Sequence, residues 1–389
     1  MRIIVYTGKG GVGKSSIACA TAVLNADRGR RTLLVSSDLA HNLSDILVTD
    51  TVANQTHDNL TVLEIDILDE INSNWQAVSG YFAGFLAYLG LDDVVAEEVA
   101  LLPGIDAFFM LTRILREIDS EAYDTVVIDC PPTAGTFRLL TFTNTSSNTL
   151  NKFISAERQI LKLVRPLSRR IKSIRNLIPE DDFYECLGDV IKDIGRLGEL
   201  LRDPALSTFR LVLNPDRIAV AETRRSFTYM GLFGFPVDAI MINKVLPADV
   251  EEGYFKQWHQ LQQEQLDEIE RAFLSCKLFR IRYLDREPAG IDELLAFGEE
   301  IFGDVEPDAC CSESRIVQFA RQDGKTTLAL LVPNLDKAAL DLGRKENELI
   351  IRAGPHHRVL TLPDSLSDVE IDNAAYDDGS LTITFAKHD

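Results

Sequence analysis

The chain has 389 residues, enough for two or three domains and a sizeable core. Sixty acidic against 40 basic residues leave a net charge of −20, which repels polyanions at long range and disfavours a sequence-independent nucleic-acid binder. Six cysteines with no C-x-x-C or Cys/His spacing, no apolar run of about 18 residues and no signal peptide together predict a soluble, cytoplasmic protein without a disulfide framework.

The first element, Ile3-Ile4-Val5-Tyr6, reads as a buried strand. It runs into Gly8-Lys9-Gly10-Gly11-Val12-Gly13-Lys14-Ser15-Ser16, and an alanine-rich helix pattern follows from Ile17 to Ala26. Strand, glycine turn and helix with the spacing G-x-x-x-x-G-K-[ST] form a phosphate-binding loop in the context that the motif needs. Glycines let successive backbone N–H groups curl around one anion, and the helix N-terminus adds its positive dipole end. The loop from Gly8 to Ser16 is therefore the candidate nucleotide cradle. Within it Lys14 is expected on the β- and γ-phosphates, and the Ser15 hydroxyl on Mg²⁺.

Further apolar, β-branched runs follow at 32–38, 61–66, 125–129, 209–214, 239–243 and 277–281, separated by long helical stretches. That alternation predicts a mainly parallel sheet covered by helices on both faces, with ligand groups at the carboxyl ends of its strands. Gly8, Asp38, Asp129 and Asn243 all fall at such ends. Asp129 takes the strand-end carboxylate position that holds Mg²⁺ in phosphate-loop enzymes.

Two helical insertions interrupt the pattern, at about 71–118 and 146–203. The first carries Trp75, Val78, Phe82, Phe85 and Leu89 at three- and four-residue steps, then Phe108, Phe109, Leu111 and Leu115. The second carries Ile160, Leu163, Leu167, Ile171, Ile174 and Ile178 on one face, with Pro166 as a kink or break. Such stripes have two readings, packed core or an apolar groove for a hydrophobic client, and both can hold at once. A linker is expected at 304–314. From 315 to 389 short alternating runs at 328–332, 348–351, 359–362 and 381–385, divided by turn residues, predict a small β-sandwich.

Beyond these patterns lie resemblances. Lys9, a second lysine early in the loop, gives K-G-G-V-G-K-S, which resembles the deviant Walker A ATPases. In that group the early lysine crosses a homodimer interface to the partner's nucleotide, so the resemblance implies a homodimer with ATP between subunits and makes Lys9 catalytic. Asp38-Leu39-Ala40-His41-Asn42-Leu43-Ser44-Asp45 resembles the D-P-A-H-[NS]-L-S-D switch I of the arsenite-pump and tail-anchored-protein-targeting ATPases, with Leu39 in place of proline. By position Asp38 polarises the attacking water and lies with Asp45 near the Mg²⁺ shell. The segment from Asp129 to Leu139 resembles that family's switch II, with Ala134-Gly135 where the family has Gly-His. Pro103-Gly104-Ile105-Asp106, Glu222-Thr223-Arg224-Arg225 and Glu287-Pro288-Ala289-Gly290 resemble further family elements, and Ile242-Asn243-Lys244 resembles the one whose Asn reads the adenine edge.

The likeness covers about 1–303. It implies a P-loop fold with a helical insertion subdomain and a Mg²⁺-dependent ATPase with ATP and ADP as substrate and product. The partner it implies is a hydrophobic client, a protein segment or lipid-like ligand, and transient contact with a membrane or membrane receptor stays open. Residues 250–255 lack the C-x-x-C that binds zinc across the dimer in eukaryotic members, so no zinc is expected; nor is an iron–sulfur cluster. The alternative is the catalytic subunit of an arsenite or antimonite pump, against which the scattered positions of Cys19, Cys130 and Cys186 argue. A partition ATPase is disfavoured by switch I. In the tail, Ala375 to Leu381 resembles the A-x-x-x-n-G-x-L signature of α-crystallin domains, and 328–338 resembles the entrance to such a domain. Arsenite-pump-family ATPases with this appended domain form the branch that the chain matches best.

Overall fold

The computed structural model describes residues 1–37, 43–48, 58–66, 69–70, 105–133, 135–137, 140, 181–247, 255–312, 317–322, 325–335, 337–345, 347–354, 356–366, 369–377 and 379–386. Seven parallel strands form one sheet: β1 (Arg2–Gly8), β2 (Thr32–Ser36), β3 (Leu60–Glu64), β4 (Thr125–Asp129), β5 (Ser207–Leu213), β6 (Val237–Val245) and β7 (Lys277–Arg282). Their order is β3-β2-β4-β1-β5-β6-β7, so the chain winds outward to both sides of β1. All seven coincide with the runs read from the sequence, because strands buried on both faces favour apolar residues, while the edge strands β3 and β7 keep a partly exposed face.

Side chains of β1 alternate between two cores. Ile3 and Val5 enter one together with Phe109, Leu111 and Leu115 of helix α3 (Ile105–Asp119) and with Leu197 and Leu201 of α4 (Asp181–Arg202). Those apolar positions of the two expected insertions are thus packed beneath the sheet. Ile4 and Tyr6 enter the other core, with α1 (Lys14–Asp27) and the five-residue α2 (Leu43–Leu47). Helix α1 is buried from Ile17 to Ala26, which explains its small-residue, nearly all-apolar sequence. Helix α5 (Arg217–Phe233) starts at Asp216, whose side chain accepts from the Ile218 and Ala219 amides. It ends at the left-handed Gly234. Helices α6 (Lys256–Ala272) and α7 (Ile291–Phe302) complete the layers, α7 lying against α1 with Gly298 over the Ala20 carbonyl.

The C-terminal region is all-β and antiparallel. Strands β8 (Val317–Gln322), β9 (Lys325–Leu331), β13 (Ile371–Asp377) and β14 (Ser380–Phe385) pair in the order β13-β14-β9-β8. Strands β10 (Leu340–Lys345), β11 (Glu348–Ala353) and β12 (His356–Thr361) make the second sheet. Their shared core holds Leu328, Leu330, Leu349, Ile351, Leu381 and Ile383, and it takes in Leu232 from the end of α5. Thr228 donates to the Pro333 carbonyl at 2.7 Å, Arg358 donates to the Leu232 carbonyl at 2.6 Å, and a Cβ on Gly231 would overlap the Leu331 oxygen. The sandwich is therefore seated on the carboxyl half of α5.

Candidate nucleotide site

The phosphate loop leaves β1 where the strand is packed most tightly: any Cβ on Gly8 would overlap the Val212 carbonyl of neighbouring β5. At the far end Gly13 caps α1 with φ 92°, a left-handed conformation open to glycine at little cost, and a Cβ there would meet the Asn243 amide. Lys14 opens α1, is 6% exposed, and its ammonium donates to the Lys9 carbonyl at 3.4 Å. The lysine that is expected to meet the phosphates thus lies folded over the loop, and the early lysine supplies the oxygen that receives it. Lys9 itself is half-buried, and Ser15 and Ser16 sit in the first turn of α1.

Beside the loop, Asp129 ends β4 in register with Tyr6 of β1 and Ser36 of β2, and it is 1% exposed. Its backbone carbonyl accepts from the Ser37 amide at 2.9 Å and the Ser37 hydroxyl at 3.1 Å. The segment that follows is latched to β1: the Thr7 hydroxyl donates to Thr136 Oγ1 at 2.8 Å, and the Thr136 hydroxyl donates to the Pro131 carbonyl at 2.8 Å. Cys130 donates its amide to the Tyr6 carbonyl. The Thr7 and Cys130 bonds thus tie the segment expected as switch II to the loop strand.

Asp38 lies outside the described residues, as do His41 and Asn42 of the same motif. Its downstream end is described: Asp45 is exposed in the first turn of α2, whose Leu43 and Ser44 amides donate to Glu64 Oε1 at 2.8 and 3.2 Å. Glu64 was not singled out from the sequence, although it ends β3 as Asp129 ends β4, which was the available signal. Trp75 to Leu89, Pro103-Gly104, Arg138, 146–180 and 248–254 also lie outside the described residues, and the apolar groove expected there with them.

Asn243 has a scaffold role that the sequence did not reveal. Its Nδ2 donates to the Val12 carbonyl at 2.8 Å, and its Oδ1 accepts the Lys244 amide at 2.9 Å. Gln262 of α6 then holds the Lys244 carbonyl and the Leu246 amide at 3.0 and 2.7 Å. The residue expected on adenine therefore braces the phosphate loop. Asn243→Ala leaves the buried Val12 carbonyl without this donor, a loss of about 1–3 kcal/mol. It should weaken ATP binding roughly tenfold by equilibrium titration with the fold intact, since every ~1.4 kcal/mol is a factor of ten; unchanged affinity would disprove the brace.

Hydroxyl and carboxylate oxygens at Ser15 and Asp129, with Asp129 buried beside the loop strand, are the hard donor chemistry that Mg²⁺ takes. Among the described residues no cluster of three or more His, Cys, Asp or Glu is placed to hold a metal ion. Cys19 and Cys130 are buried; burial raises both thiols, Cys130 to about 12, so neither is poised as a thiolate. No helix among the described residues is long and apolar enough to cross a membrane.

The profile of the Anion-transporting ATPase family matches residues 1–303, the whole span that carries this site. The chain belongs to that family. A second profile, the HSP20-like domain found in ArsA, matches residues 323–385, the antiparallel region seated on α5. Among the chain's relatives, a Chlorobaculum tepidum protein assigned by name to the arsenical pump-driving ATPases is 34% identical over 388 residues, covering 99% of this chain and 96% of the other. An Aquifex aeolicus protein assigned by name as arsenical pump-driving ATPase 1 is 28% identical over 395 residues, with 98% and 99% covered. The ATPase get3 of Pyrenophora tritici-repentis is 27% identical over 312 residues, covering 77% of this chain and 90% of its own. The last match fits a likeness confined to the ATPase part.

Proposed function

We propose that this ArsA-family ATPase is a homodimeric, Mg²⁺-dependent chaperone or targeting factor, in which nucleotide-driven opening and closing controls an apolar helical groove for a hydrophobic client. The observation that carries the reading is the loop itself: a complete phosphate cradle containing a second lysine, Lys9, whose carbonyl receives the Lys14 ammonium. On this reading Lys14 turns from that carbonyl to the β- and γ-phosphates. Lys9 reaches the nucleotide of the second subunit, and Asp38 orients and polarises the attacking water. Gly8 to Ser16 cradle the phosphates, and Asn243 meets adenine while bracing Val12. Ser15 and Asp129, with Asp38 and Asp45, would hold Mg²⁺ partly through water, and the ion would supply charge neutralisation of the phosphates.

The working division is an ATPase domain at 1–303 with groove insertions near 71–118 and 146–203, a linker at 304–314 and the β-sandwich at 315–389, in a cytoplasmic protein. Lys9→Ala tests the dimer claim. It should still bind ATP but lose hydrolysis and the ATP-dependent rise in sedimentation coefficient; a variant that turns over and dimerises like the wild type defeats it. Failure of the purified protein to bind any tail-anchored segment, fatty acid or unfolded client in either nucleotide state would defeat the client claim.

The second reading, a metalloid pump-driving subunit, is favoured by the names of the two bacterial relatives. The burial of Cys19 and Cys130 speaks against a reactive thiol triad. An ATPase rate that rises with arsenite or antimonite would favour it; an unchanged rate removes it.

A further inference from the structure

A charged residue in the middle of β5 is not explained by the nucleotide site. Arg210 is 0% exposed, the largest fully buried side chain among the described residues, set between the apolar Phe209 and Leu211 to Leu213. A guanidinium so placed is costly unless each face is engaged. Its Nε faces Asp238, 2% exposed, at 3.6 Å. Its Nη2 donates to the Ala309 carbonyl at 3.0 Å, and the second Asp238 oxygen accepts the Cys311 amide at 3.0 Å. The arginine and aspartate thus grip one short stretch, Ala309 to Cys311, on the path from α7 to the sandwich. Ser312 adds a hydroxyl bond to the Ser275 carbonyl at 3.0 Å.

The remaining arm of Arg210 points the other way. Nη1 donates to the Tyr6 hydroxyl at 3.1 Å, Tyr6 lies 2.7 Å from Thr21 Oγ1, and the Thr21 hydroxyl donates to the Ile17 carbonyl at 2.7 Å. Only one proton arrangement satisfies all three bonds. Arg210 donates to Tyr6, Tyr6 to Thr21, and Thr21 to Ile17, so each bond polarises the next. Tyr6 lies on β1 two residues before Gly8, and Ile17 lies in the first turn of α1, its amide bonded to the Gly13 carbonyl. The chain therefore spans both flanks of the phosphate loop. Burial opposes the Arg210 charge, but the Asp238 carboxylate and the hydrogen bond that the Tyr6 hydroxyl accepts offset that and keep the guanidinium protonated.

We propose that Arg210 is a positioning residue for the phosphate loop, fixing α1 against β1 through Tyr6 and Thr21 while gripping residues 309–311, so that nucleotide occupancy of the loop is felt at the segment leading to the HSP20-like domain. The inference needs only ATP binding by the family domain and does not depend on the identity of any client. It predicts that moving Lys14 and the first turn of α1 onto phosphates alters the hold on Ala309 and Cys311.

Cys310, exposed between those two gripped residues, is a built-in reporter. The full-length protein is alkylated with a maleimide, and the rate at Cys310 is followed by mass spectrometry with and without ATP and Mg²⁺. The wild type should show a nucleotide-dependent change of about fivefold or more, the low end for coupled sites. Tyr6→Phe removes the bonds to Arg210 and Thr21, and Thr21→Val those to Tyr6 and Ile17, each with little change of shape. Both should bind ATP with a KM raised several-fold and kcat altered less, and both should lose the nucleotide dependence at Cys310. If one variant does not fold, the other carries the test. A Cys310 rate indifferent to nucleotide in the wild type overturns the proposal, as does a wild-type response in a folded Tyr6→Phe or Thr21→Val variant.

Discussion

Lys14→Ala is expected to remove hydrolysis almost completely, by about 10²–10³-fold or more in turnover, on the scale of deleting one preorganised charge donor from a closed site. The argument begins with burial. Lys14 is the first residue of α1, held 6% exposed and folded over the loop, with its ammonium on the Lys9 carbonyl. Its bond to the Lys9 carbonyl is long at 3.4 Å, so leaving it costs little, and an anion in the cradle offers a stronger charge-assisted partner. Alanine keeps the helix, because it is the best helix former, and removes only the reaching cation. Phosphate release by the purified variant, with ATP binding measured separately, gives the answer. Turnover within threefold of the wild type would contradict the assignment of the loop.

How much of this was legible in the sequence follows from what each signal depends on. The loop from Gly8 to Ser16 is local, and its spacing alone carries the expectation of a phosphate cradle, in a span that the family profile matches. The seven sheet strands were equally plain: burial on both faces writes mostly apolar runs into the central ones, and the edge strands β3 and β7 still alternate. The sandwich was only half legible. Its inner strands β9, β11 and β14 alternate cleanly, whereas β13 exposes most of Ile371 to Asp377 and β10 runs Leu-Asp-Leu-Gly-Arg-Lys with no fully buried side chain. An edge strand packed on one side carries little pattern. Arg210 was passed over inside the run Phe209 to Asn214, although a charge in a two-face-buried strand is itself a signal that a partner must exist. Glu64 on α2 and Asn243 on Val12 are contacts between segments 21 and 231 residues apart, which no local pattern encodes. The same holds for Leu232: helical periodicity marks it as apolar, but only the fold shows that its cover comes from a different sheet.

Leu232→Lys should therefore have an effect out of proportion to its position at the end of a surface helix. Leu232 is 1% exposed among Leu328, Leu330 and Val332, so truncation alone would cost about 2–5 kcal/mol. Lysine adds a charge to a place that already holds two cations. Arg358 donates to the Leu232 carbonyl and Arg202 to the Phe233 carbonyl at 3.2 Å. Burial, with Arg202 adding to it, pulls the Arg358 guanidinium down to about 10, so it is still charged at neutral pH. A third positive charge meets like charges on both sides, whereas Leu232→Asp can pair with Arg358 and recover part of the loss. The expected order of stability is wild type, then Asp, then Lys. In a thermal scan Leu232→Lys should show an early transition for the β-sandwich, with protease cutting after Phe302. ATP binding should be retained, because the loop residues Gly8 to Ser16 make no use of α5. A Lys variant that melts in one step with the wild type, or one more stable than the Asp variant, would mean that the sandwich is not seated through Leu232.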